Sequence, residues 1–219
     1  ITHVADTGLT TNGTFTAAGI TSSSTLQGTT VTATTAFVPD AADGATLGSA
    51  TLEFSDLFLA DGGEVKFGAD QDVLLRHDHN SGLIIDRTNT SDNSPVSLTL
   101  STAETDIQAD DVIGKINFQA PDEGTGTDAV LISAAIQARS EGDFSATANA
   151  TSIDFMTGAS EAAATKMSLT SGGDLSILTD GTKISFGASS EITLTHVHNV
   201  GLTLTHTATD DNLPIILQL

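Results

Sequence analysis

Four histidines stand in two closely spaced pairs, His77 with His79 in RHDHNSGL and His196 with His198 in THVHNVGL. Imidazole is a common ligand of divalent transition metals and a versatile hydrogen-bonding group. Two residues apart on a strand, both rings of a pair project to one side, at a spacing of roughly 6 to 7 Å. In GEVKFGADQDVLLRHDH the residues Val65, Phe67, Val73, Leu75, His77 and His79 are all odd-numbered, so an unbroken strand would place them on one face. The second segment repeats the pattern on even numbers, with Ile184, Phe186, Ile192, Leu194, His196 and His198. Both pairs are therefore expected on an apolar face, where an imidazole without a partner is costly. The chain has no cysteine, which excludes disulfides and thiolate sites and leaves His, Asp and Glu as the residues able to hold a metal.

The plain reading of such a pair is two polar residues that each find a hydrogen bond. Duplication by itself does not favour ligation, because it copies neutral residues too. Divergence around the pairs does favour it: Asp78 corresponds to Val197 and Arg76 to Thr195, while both histidines persist on the apolar side. His206 aligns with Arg87 and reads as surface variation.

The elements that carry the pairs belong to a repeat. Residues 61 to 100 recur at 180 to 219 in a constant register of 119, from His77 against His196 to Pro95 against Pro214, with no gap. Phe67 matches Phe186, Gly68 matches Gly187, Asn80 matches Asn199, Gly82 matches Gly201 and Leu100 matches Leu219. A short third copy opens the chain as ITHVADTGL, where His3 stands for His196 and Gly8 for Gly201 but Ala5 replaces the second histidine. After each pair, turn chemistry such as Asn80-Ser81-Gly82 precedes Leu83 and Ile85, which predicts a hairpin. Repeat arrays need atypical ends, so a chain that begins and ends within repeats reads as a segment of a longer array.

Composition sets the class. Lys and Arg total 7 against 28 Asp and Glu, a net charge of -21. That charge repels phosphate backbones and anionic membrane surfaces, and it suits high-salt water, where screening removes self-repulsion. Nucleic acid is excluded as an expected partner. No apolar run approaches the roughly 18 residues of a membrane span, so no membrane insertion is expected. Trp and Tyr are absent, and the abundant apolar residues are small. A lone domain of this length would show a heavier core, so several chains are expected to share one.

Four regions follow, all expected to be β-rich. Residues 1–37 are a thin Thr, Ser, Gly and Ala segment with sparse Phe15, Ile20, Leu26 and Val31, read as slender β structure, with a flexible linker as the lesser alternative that low complexity allows. Residues 38–100 hold the first histidine repeat unit, led by LGSATLEFSDLFLADG, whose pattern allows a helical turn or two strands. Residues 101–175 form an insertion: the first and second histidine copies are 74 apart, the second and third 119. Here Val130, Ile132, Ala134, Ile136 and Ala138 alternate as a strand does, despite the alanines that would suit a helix. Residues 176–219 are the second histidine repeat.

LGSATLEFSDLFLADG, FGADQDV, THVADTGL and IGKINFQAPDEGTG together resemble the repetitive tail-fibre proteins of bacteriophages, particularly those of marine and cyanobacterial phages. The resemblance implies a mainly β, elongated and intertwined homotrimeric fibre built of tandem repeats. It implies an extracellular place in the virion tail fibre, other tail or baseplate proteins as partners, and a role in host attachment, with a possible host surface receptor. The histidine pairs are similar to the His-x-His iron sites at the tip of the long tail fibres of T-even phages. In a parallel trimer each pair would contribute to six nitrogens in two layers of three. That octahedral set suits a first-row transition metal such as iron, nickel or cobalt better than tetrahedral zinc or oxygen-seeking calcium. The implied metal residues are His77, His79, His196 and His198. The first copy departs from the pattern, since Ala5 leaves only His3.

Other chemistry is weaker. PDEGTGTD at 121–128 gathers Asp122, Glu123 and Asp128 but lacks the ligand spacing of an EF-hand, and reads as a solvated turn. No phosphate loop, nucleophile elbow or Cys-His arrangement occurs, and no carboxylate pair stands out as a glycosidase site. The expectation is a non-enzymatic structural segment of a phage tail fibre, stapled by axial metal. The alternative is a receptor- or glycan-binding domain of such a fibre, with a polysaccharide depolymerase a more distant one.

Overall fold

A computed structural model of the chain describes residues 2–4, 8–10, 32–120 and 128–207. Contacts divide the chain into two compact units, Ile1–Ile85 and Asp86–Leu219. The fold is all β, and no helix occurs among the described residues. The acidic stretch at 121–127 and most of the Thr-rich segment, residues 11–31, lie outside the described residues, while 32–37 carry no regular element.

The opening repeat is a hairpin of β1 (Thr2–Val4) and β2 (Gly8–Thr10), in the register His3 to Leu9 and Val4 to Gly8. β3 (Glu64–Phe67), β4 (Val73–Asp78) and β5 (Gly82–Arg87) form a three-stranded antiparallel meander. Ahead of it, LGSATLEFSDLFLADG takes neither form allowed by its pattern. One isolated bridge joins Ser49 to Leu52, and Phe54, Leu57 and Phe58 are exposed. These side chains find no apolar surface of their own unit to pack against, so neither helix nor strand pairing is stabilised there.

The inserted region is a five-stranded antiparallel sheet of β6 (Val112–Gln119), β7 (Ile132–Ser140), β8 (Thr151–Thr157), β9 (Ala164–Leu169) and β10 (Leu175–Ile177). Alternation decides over alanine content in β7, as the even-numbered series expects. The last repeat is again a three-stranded meander, β11 (Lys183–Phe186), β12 (Ile192–Val197) and β13 (Gly201–His206).

Cross-strand partners share a sheet face, so the register of the five-stranded sheet shows what each face is made of. One row runs Ile116, Ile136, Phe155, Met167, Ile177, and a second runs Gly114, Ala138, Ile153, Leu169, Leu175. Between them on the opposite face lies Lys115, Gln137, Asp154, Ser168, Ser176. The apolar rows are the exposed ones: Ile116, Ile136, Phe155, Ile153, Leu169 and Leu175 all face solvent in the single chain. The polar row is the buried one. Among the described residues, Leu74 and Ala135 are the only buried hydrophobic side chains, against Gln137, Ser140, Ser152, Asp154 and Ser168.

Asp154, with no exposed surface, is the hub of that polar face. Its Oδ2 accepts from Arg139 Nε at 2.8 Å and Gln137 Nε2 at 3.2 Å, and its Oδ1 from Ser168 Oγ at 2.6 Å and Ser152 Oγ at 3.2 Å. Arg139 also reaches Asp110 through Nη1 at 2.6 Å. Burial pushes the Asp154 carboxyl up, but the hydrogen bonds from Arg139, Ser168 and Gln137 and the charge of Arg139 outweigh it, holding the pKa at about 2. Three cross-strand donors, Gln137 and Arg139 on β7 and Ser168 on β9, thus fix the register of both strands against β8 without an apolar core.

Because the folded pKa is depressed, this carboxylate contributes its stabilisation above about pH 4, and the contribution disappears as pH falls toward 2, an effect of about 2 kcal/mol. Asp154→Asn is expected to flatten the acid limb of stability between about pH 4 and 2, read by urea unfolding at fixed chain concentration across pH. Asp154→Ala, which leaves Arg139 without its buried partner, is expected to cost about 3 kcal/mol at neutral pH.

Candidate functional site

Each histidine pair sits where two tight turns meet one meander. In the last repeat the first turn spans Thr179 to Thr182, closed by Thr182 N–H to the Thr179 carbonyl at 3.3 Å, and its third residue is Gly181 with φ +74°. The first repeat has the same turn from Ala60 to Gly63, closed at 2.8 Å, with Gly62 at φ +71°. A positive φ at the third position favours glycine, and the second position, open to a side chain, is Asp180 in one copy and Asp61 in the other. A backbone bond then ties this turn to the histidine strand, from His196 N–H to the Thr182 carbonyl at 3.0 Å and from His77 N–H to the Gly63 carbonyl at 3.1 Å.

The second turn joins the histidine strand to the next strand. Val200 N–H donates to the Val197 carbonyl at 3.0 Å, and Ser81 N–H to the Asp78 carbonyl at 2.9 Å. His198 and His79 occupy the second position of these turns, and Asn199 and Asn80 take φ +57° and +59° at the third. The expected hairpin is present in both copies. One detail differs: β12 and β4 end at Val197 and Asp78, so the second histidine of each pair belongs to the turn and not to the strand. The turn nonetheless keeps its ring on the side of the first.

The two rings of each pair converge on one carboxylate. Asp180 Oδ1 lies 3.3 Å from His196 Nδ1 and Asp180 Oδ2 lies 2.9 Å from His198 Nδ1. Asp61 repeats this, with Oδ1 3.6 Å from His77 Nδ1 and Oδ2 3.2 Å from His79 Nδ1. The site is open: the four imidazoles are 44 to 66% exposed and the two carboxylates 65 to 73%. All four rings use Nδ1 for these contacts, and their Nε2 atoms meet no partner among the described residues.

The clusters border apolar faces, as the alternation expects. In the last sheet Ile184 pairs with Leu194 and Leu194 with Leu204, Phe186 with Ile192, and His196 with Leu202. The reverse face carries Lys183, Ser185, Thr193, Thr195, Thr203 and Thr205. His196 lines an apolar recess of about 130 Å³ with Ile177, Ile184, Leu194 and Leu202. In the first sheet Val65 pairs with Leu75 and Phe67 with Val73 on the corresponding face. Phe67, Phe186, Leu83 and Leu202 are all about half exposed or more.

His77 and His79 come together beside Asp61, as do His196 and His198 beside Asp180. His206 lies in β13 opposite Ile192. Sequence reasoning missed Asp61 and Asp180. The available signal was that they open the matched blocks in the same register of 119 as the histidines. Within one chain each cluster offers two imidazoles and a carboxylate already engaged with both, and no group of three or more His, Cys, Asp or Glu side chains among the described residues could hold a metal ion.

No family model, curated protein or solved structure matches this chain.

The positive φ of Asn199 and Asn80 is a position that alanine fills at a cost of about 1 kcal/mol and glycine without strain. Asn199→Ala is expected to lower stability by about that amount and Asn199→Gly to leave it within a few tenths, measured by denaturant unfolding.

Proposed function

We propose that this chain is a structural segment of a phage tail fibre, assembled as a homotrimer around its apolar sheet faces and stapled by transition-metal ions at the histidine pairs. The observation that carries the reading is the inverted distribution of polarity. Two apolar rows cross one face of the five-stranded sheet, a second apolar face borders the last histidine pair, and both are open among the described residues. Burying one Phe, Ile or Leu side chain is worth about 1.5 to 3 kcal/mol, so a face of eight or more such residues strongly favours association. A closed assembly of identical chains satisfies every copy equally. Three-fold closure is the element taken from the resemblance in sequence.

In the proposed trimer the donors of three chains would combine. Each pair presents two imidazoles with Nε2 unengaged at the rim of an apolar face, and three chains would bring six nitrogens together, a set suited to iron, nickel or cobalt. His77, His79, His196 and His198 would hold these ions. A bound ion would cross-link the chains and, because it binds only the assembled form, raise the stability of the assembly by mass action. The work of such a segment is mechanical and non-enzymatic: it holds a host-binding tip away from the virion and passes load to tail or baseplate proteins. The charge of -21 keeps the fibre soluble and away from nucleic acid and anionic membranes.

Native mass spectrometry with metal analysis, before and after a strong chelator, tests the reading. Three chains carrying two transition-metal ions, with thermal stability lost on chelation, are expected; a stable monomer at micromolar concentration overturns it. Phe186→Asp on the apolar face is expected to shift the assembly toward monomer. Thr205→Asp on the reverse face is expected to leave it intact, both read by native mass or sedimentation.

A further inference from the structure

We propose that residues 95–100, PVSLTL, form a strand exchanged between copies of this chain: the segment pairs with a sheet edge of a neighbouring copy and lays Val96, Leu98 and Leu100 into the apolar surface that the copies share. This rests on the association of identical chains proposed above and is independent of any metal.

The segment has the pattern of a strand and none of its bonds. Val96, Leu98 and Leu100 alternate with Ser97 and Thr99, the period of two that puts three apolar side chains on one side of a strand. Yet residues 95–100 enter no sheet, and none of them makes a hydrogen bond among the described residues. Val96 is 49%, Leu98 64% and Leu100 45% exposed. An apolar run with its backbone groups unpaired is a template for strand addition, in which main-chain bonds to a sheet edge supply affinity and the alternate side chains supply fit.

The far end of the run is already seated on the uncovered face. Gly114 of β6 pairs with Ala138 and so belongs to the row that continues through Ile153, Leu169 and Leu175. A Cβ at Gly114 would stand 3.0 Å from the Leu100 Cβ, so the missing side chain leaves the space beside which Leu100 lies. β6 is an edge strand of its sheet. The apolar series of the segment is thus joined, at that edge, to the face proposed as the interface between copies.

Charge and repetition identify the occupant as another copy. Chains of net charge -21 repel one another, so they approach best through uncharged stretches, and residues 93–103, between Asp92 and Glu104, carry no charge. A cationic partner would be drawn to the acidic stretches instead. In the repeat, Val96, Leu98 and Leu100 correspond to Ile215, Leu217 and Leu219, while Ser97 and Thr99 correspond to Ile216 and Gln218. The apolar series is kept where the residues between it have changed, as a side that becomes buried requires. In a closed assembly each copy gives one such strand and receives one.

Hydrogen exchange on the intact chain tests this without any substitution. In the assembled protein the amides of residues 96–100 should exchange at least about 100-fold more slowly than in an unstructured chain, although the single chain gives them no acceptor. Leu98→p-benzoylphenylalanine should give light-induced cross-links between chains, seen as covalent dimers and trimers under denaturing conditions, and Leu98→Asp should shift native mass toward monomer. Free exchange of residues 96–100 in a parent that native mass shows to be assembled, cross-links confined to one chain, or a folded Leu98→Asp chain that assembles like the parent overturns the exchanged strand and leaves association through the apolar faces standing. A parent that is monomeric at micromolar concentration overturns both.

Discussion

Apolar rows left uncovered among the described residues are the constraint from which the rest of this structure follows. In the five-stranded sheet, Ile116, Ile136, Phe155, Met167 and Ile177 form an unbroken cross-strand line, and the side chains in it are exposed or only partly covered. The hydrophobic effect acts on such a surface whichever molecule supplies the cover. The sequence leaves few ways to supply it internally, since Trp and Tyr are absent and no helix among the described residues is available to lie across the sheet. Copies of the same chain are the cover always present at matched concentration, which is why the proposed function places identical chains around these faces.

The histidine clusters are built at the edge of the same constraint. His196 pairs across the sheet with Leu202 at the last position before the turn, so the ring belongs at once to the apolar face and to the polar hairpin tip. Asp180 meets its Nδ1 from the neighbouring turn. An imidazole in that position has one side committed to its own chain and one side open. In the proposed assembly the open side meets the equivalent groups of other copies, and the coordination bond adds direction to an association that apolar burial alone would leave free to slip in register.

What the sequence made legible was whatever depends on alternation. Val130, Ile132, Ala134, Ile136 and Ala138 gave β7 its strand character against the helical preference of alanine, and the Asn-x-Gly spacing gave both histidine hairpins. The short opening copy carries the same register as the last, His3 to Leu9 against His196 to Leu202. Long-range polar convergence was not legible. Asp61 and Asp180 look like any acid in a glycine turn until strand pairing folds them back onto the histidines. Gln137, Ser152, Asp154 and Ser168 look like the solvent side of an amphipathic sheet, because alternation tells the two faces apart but not which of them is buried. LGSATLEFSDLFLADG failed for a related reason: its large apolar residues suggest local structure, but side chains that pack on nothing in their own unit stabilise none.

Two uses of carboxylate divide the work between folding and association. Asp154 is wholly satisfied inside one chain, by Arg139, Gln137, Ser152 and Ser168, and the bonds from Arg139, Gln137 and Ser168 fail if a neighbouring strand slips by one residue. Polar specificity therefore sets the register of the sheet where an apolar core would otherwise do so. Asp61 and Asp180 are exposed, and each lies between two half-exposed imidazoles. A chain organised in this way can reach its strand register through the internal hub before its apolar rows find partners, because the hub needs no second molecule. In the proposed assembly, association would then join surfaces already in register, and the histidines of different copies would meet only when it is complete.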